Sequence, residues 1–155
     1  MTGPAPWFGL RWSAIWRPAL STSVFLLPLG ILQQVLVDRG TIARGGSESL
    51  LFFAGYLFLG AVTGFGSARL AESQLLQHGA AAAALAYAIV QGVGIVRHLA
   101  IGKSAVSPLS FIYLALLMAT CGMLGAMLER RAAKVRVAQE ELRRRSGDSG
   151  GDRSA

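Results

Sequence analysis

Hydrophobic residues come in four long blocks, at 18–37, 49–68, 79–96 and 107–128, and no Asp, Glu, Lys or Arg falls inside any of them. Each block is close to the roughly 20 residues that a helix needs to cross a hydrocarbon core about 30 Å thick. More polar segments at 38–48, 69–78 and 97–106 separate them and read as surface connections, the first of them glycine-rich. The pattern therefore predicts an all-α fold: a four-helix transmembrane bundle spanning 18–128, preceded by an interfacial segment at 1–17. A basic helix at 129–145 follows the bundle, and 146–155 has the composition of a disordered tail. Glu140 and Arg144 are spaced to pair on that basic helix.

Within the blocks, proline and small residues set expectations about shape. Pro18 suits the first turn of span one, and Pro28 predicts a kink at mid-span. Gly60 and Gly64 share one face of span two with Ser67 and Ala68, and Gly122 and Gly125 lie in the later half of span four. Small residues at such spacing let helix backbones approach closely in lipid, so these four glycines are the expected packing positions. Span three, largely alanine and glycine, reads as the central helix.

The two ends of the membrane domain differ in charge. The chain carries a net charge of +7, and eight of its fifteen Lys and Arg residues follow Leu128. With both termini cytoplasmic, eleven basic residues lie inside and four outside. That asymmetry predicts a multi-pass protein of the plasma (inner) membrane with its termini in the cytoplasm. Basic residues beside a span favour anionic lipid headgroups over nucleic acid as the partner. Trp12, Trp16, Arg130, Arg131 and Lys134 are the expected headgroup contacts, and Trp7 and Phe8 share the aromatic N-terminal segment.

Few side chains offer chemistry. Cys121, the single cysteine, lies in an apolar span, and His78, His98 and Glu72 stand at no metal-site spacing and form no nucleophile–base pair. No enzyme activity, metal or cofactor is expected, and His78 reads as an interfacial residue. The intramembrane polar residues of interest are Gln33, Gln34 and Gln91, the last sharing a face with Tyr87. An amide is costly to expose to lipid, so Gln91 is expected to pair with Gln33 or Gln34. The alternative is that the glutamines, with Thr63, line a polar path.

The segment 59–69 resembles 121–131, each a glycine-bearing helix end followed by arginine, which raises the possibility of two repeated hairpins. Over about 49–131, the Gly-x-x-x-Gly span end, the His78-Gly79 loop, the alanine-rich third span and the glycine-bearing fourth resemble uncharacterised small four-span bacterial membrane proteins. The resemblance implies the same fold and a bacterial source but no activity. The Asn- and Phe-bearing motifs of four-span fluoride channels are absent. Together these features predict a non-enzymatic structural or accessory membrane subunit that forms homo-oligomers or joins a membrane-protein partner. A small oligomeric channel or carrier is the alternative.

Overall fold

The computed structural model describes residues 10–43, 46–71, 73–100 and 108–148, without the side chains of 98, 99, 108, 110 and 145–148. Trp7, Phe8, Glu72, the side chain of His98 and residues 149–155 of the expected tail lie outside the described residues. Four helices make up the fold: α1 (Trp12–Asp38), α2 (Ser47–Leu70), α3 (Leu75–Ala100) and α4 (Pro108–Asp148). All four are long and apolar enough to cross a membrane, so the chain is compatible with a multi-pass integral membrane protein.

The helices form a four-helix bundle in which α2 and α3 touch every other helix, while α1 and α4 lie on opposite sides of that pair. Span three is thus central, as its small side chains predict, but it shares that place with α2. The two hairpins are not placed equivalently: α2 packs on α3, whereas the backbones of α1 and α4 do not meet among the described residues. Neighbours in sequence run antiparallel. Ala14, Thr22 and Gln33 of α1 bond in turn to Ser67, Thr63 and Tyr56 of α2.

Helix α1 begins at Trp12, six residues before the expected start, so Pro18 lies inside the helix rather than at its first turn. Proline has no N–H, and Pro18 therefore deprives the Ala14 carbonyl of its helical donor. The Ser67 hydroxyl of α2 supplies the replacement, donating to the Ala14 oxygen at 2.7 Å with both groups buried. This repair from a neighbouring helix is what lets α1 run on through the proline. Ser67→Ala should lower stability by about 1–2 kcal/mol, the usual cost of leaving a buried carbonyl unpaired. In a Pro18→Ala background the restored N–H caps that carbonyl, and the same change should cost almost nothing. Thermal unfolding of the four proteins of this double-mutant cycle in detergent checks it, and equal costs in both backgrounds would refute the repair.

Burial is unequal along the bundle. Apart from Ile42 in the α1–α2 connection, every buried described residue lies within 14–26 of α1, 60–68 of α2, 78–86 of α3 or 118–129 of α4. These segments form one end of the bundle, packed through Ala14, Ala19, Ala68, Ala82, Ala83, Ala86 and Ala126. A Cβ on Gly64 would overlap the Gly122 backbone, and one on Gly125 would overlap the Ala61 carbonyl. Gly60 faces the Met118 side chain, whose Cε would lie 3.0 Å from an added Cβ. Gly60, Gly64 and Gly125 thus sit where α2 meets α4, while Gly122, whose carbonyl abuts Gly64, turns its Cα to Gly79 of α3. At the other end no described helix residue is buried, and the helices part around a cavity.

The helix α4 does not stop at 145 but continues to Asp148. Its residues 134–144 are exposed, and Glu140 pairs with Arg144 at 3.9 Å. Where α4 leaves the bundle, the buried Glu129 carboxylate holds Arg136 of its own helix and approaches Arg69 of α2 at 3.7 Å. These contacts fasten the start of the extension to the end of α2.

Candidate functional site

At this looser end lies a cavity of about 420 Å³, within the usual size range of small-molecule sites. All four helices line it. Leu26, Leu57, Val90, Leu114 and Met118 make much of its wall apolar, and Gln33, Gln34, Tyr56, Tyr87, Gln91 and Arg97 supply the polar groups. Gly30 and Gly94 leave room in the wall: a Cβ on Gly30 would come only to ordinary contact, 3.5 Å from the Tyr56 hydroxyl. Tyr87 is also packed against Phe111 of α4, with ring centroids 5.6 Å apart.

The three glutamines therefore meet at one cavity, but they do not pair with one another. The Tyr56 hydroxyl donates to Gln33 Oε1 at 2.8 Å, and Gln34 Nε2 donates to Asp38 Oδ1, also at 2.8 Å. The expected Gln91 pairing with Gln33 or Gln34 is not formed; a tyrosine from α2 and an aspartate one turn along α1 each bond one of those amides instead. The sequence reading missed Tyr56, which sits in a run of apolar residues, and Arg97 beyond the end of the third block. The signal for Tyr56 was its spacing: three residues before Leu59 and four before Gly60, it continues the inward face of α2.

Thr63 does not reach the cavity. It lies deeper, 1% exposed, with its hydroxyl 2.8 Å from that of Thr22. Below Leu26 and Met118 the bundle closes on the alanine and glycine contacts of its packed end, so the polar route of Gln33, Gln34 and Gln91 ends blind in this structure.

The remaining candidates lie elsewhere. Trp12 and Trp16 stack at 6.2 Å on the first turns of α1, both exposed, and Arg130, Arg131 and Lys134 are exposed on α4. Cys121 is half-buried beside Gly60. His78 departs from the interfacial expectation: it is fully buried in the first turns of α3. Its Nε2 accepts the Arg11 backbone N–H at 2.8 Å, and its Nδ1 lies 3.1 Å from the Gln74 carbonyl. With Nε2 an acceptor, the proton sits on Nδ1, and the neutral ring ties the start of α1 to the start of α3. Among the described residues, no three His, Cys, Asp or Glu side chains group to hold a metal ion.

In comparisons with known proteins, the chain matches no family model, no curated protein and no solved structure.

Proposed function

We propose that this chain is a non-enzymatic integral membrane protein with an accessory role, which holds a small amphiphilic molecule in the splayed half of its bundle. The carrying observation is the blind cavity, with apolar walls and amide and hydroxyl groups supplied by Gln33, Gln34, Tyr56, Tyr87 and Gln91. Such a lining suits a ligand with an apolar body and a hydrogen-bonding head, and Arg97 favours a head that carries negative charge. The charge distribution supports an inner-membrane setting with both termini cytoplasmic, which puts the cavity in the outer half of the bilayer.

Purification from native membranes in mild detergent, followed by mass spectrometry of bound small molecules and proteins, tests this reading. The wild-type protein should retain a discrete amphiphile, and Gly30→Leu, which projects a side chain into the cavity, should lose most of it while remaining folded. Equal recovery from both would remove the cavity as the site. The convergence of three glutamines favours one second reading, a carrier that opens the packed end in turn. Solute flux in proteoliposomes would establish that reading, and none is expected from a bundle closed by backbone contact.

A further inference from the structure

A second concave surface lies at the opposite, packed end, between α1 and α2. Arg17 and Arg69 stand on its two sides, and Pro18, Ser21, Val62, Gly66 and Leu70 line it below and between them. Both arginines are exposed, and the Arg69 guanidinium lies over the Phe65 ring, 5.9 Å from its centre. The acidic group nearest by ion pairing, Glu129, is buried and is shared between Arg136 and Arg69, the latter at 3.7 Å. Together Arg17, Arg69, Arg136 and Glu129 carry a net positive charge.

We propose that this groove binds the phosphate of one anionic phospholipid, held between Arg17 and Arg69, with the glycerol and an acyl chain running along Ser21, Gly66 and Val62. Three observations converge on a lipid as the occupant. The two arginines stand at matching levels, one just before the apolar block of α1 and the other just after that of α2, where headgroups lie. A guanidinium donates well to the non-bridging oxygens of a phosphodiester, whose negative charge the two arginines more than offset. Below them the floor turns apolar, which a solvated anion would not use but an acyl chain would. The site is distinct from the exposed basic residues of α4, whose attraction to a charged surface needs no groove.

Native mass spectrometry of the full chain, released gently from nanodiscs of phosphatidylcholine mixed with phosphatidylglycerol, tests the proposal. The wild-type protein should retain one phosphatidylglycerol in preference to phosphatidylcholine. Arg17→Gln should lower that retention about tenfold, the effect of one lost charge-assisted hydrogen bond. Gly66→Leu leaves the charge intact but fills the groove, since a Cβ there already lies 3.8 Å from that of Pro18, and it should do the same. Arg144→Gln, far along the exposed part of α4, should retain the lipid as the wild type does. Retention that is indifferent to headgroup, or unchanged in both groove variants, would overturn the proposal. So would displacement of the lipid by millimolar inorganic phosphate, because the site would then read a free anion rather than a lipid. Arg17 is exposed on a helix surface, so its variant tests the site even if Gly66→Leu fails to fold.

Discussion

Gly122→Ala should destabilise the purified protein in detergent by about 3 kcal/mol or more, at the upper end of what a single added methyl costs in a packed core. A Cβ at this position would overlap the Gly79 carbonyl and come within 2.7 Å of the Ala83 Cβ, while the Gly122 carbonyl itself already abuts Gly64 and Gly79. Most of the opposing atoms are backbone, so no rotamer change relieves the overlap. The helices α3 and α4 would have to separate, and the contact with α2 at the same residue would loosen with them. In lipid no hydrophobic driving force pushes the helices back together, and van der Waals contact carries the association. Gly92 provides the control. Nothing lies within 4 Å of a Cβ there, so Gly92→Ala should be neutral or stabilise by about 0.5–1 kcal/mol through the better helix propensity of alanine. Thermal unfolding of both variants measures the contrast, and similar melting temperatures would mean that the three helices do not meet at Gly122.

Replacement of His78 by alanine should cost about 2–4 kcal/mol, the sum of a vacated buried site and a lost hydrogen bond to the Arg11 backbone. The ring is fully buried, and both of its nitrogens face backbone partners on different segments. Without it, the N–H of Arg11 loses this acceptor just where α1 begins. The first turn of α1, which carries Trp12 and Trp16, should fray before the bundle melts. Hydrogen exchange separates these effects: faster exchange confined to the first turns of α1 and α3 is the expected signature. Uniform protection equal to the wild type would show that the histidine only fills space.

The fold was legible because its cause is simple. Four uncharged blocks of bilayer length have one common solution, and small residues at three- and four-residue steps mark where helices approach. The splay between the two ends was harder to see. It follows from adding side-chain sizes across all four helices at each level, with Ala19, Gly64, Ala83 and Gly122 at one end against Leu27, Phe53, Tyr87 and Leu114 at the other. That sum requires the helix register, which no single block contains. The start of α1 was misplaced because Pro18 obeys a local rule for helix starts, and the rule was overridden by a hydroxyl 49 residues away on α2. Three polar residues were marked at the cavity, Gln33, Gln34 and Gln91, but not their bonding, since Tyr56 and Asp38 compete for the amides only once the helices are side by side. His78 was misread for a related reason. Its neighbours in sequence are polar, and its burial and its bond to the Arg11 backbone arise only once the helices are assembled.

The helix α4 is continuous for 41 residues, which makes it about 60 Å long, roughly twice the hydrocarbon thickness. Its inner half is clasped by backbone contact with α2 and α3, and its outer half carries seven of the chain's fifteen Lys and Arg residues. A rod held at one end is a lever. From Glu129 to Arg144 the arm measures about 22 Å, so a tilt of about 10° at the clasp would swing the charged tip by about 4 Å. Small changes in how the bundle packs would be read out as displacement at a distance, with no joint in between to absorb them.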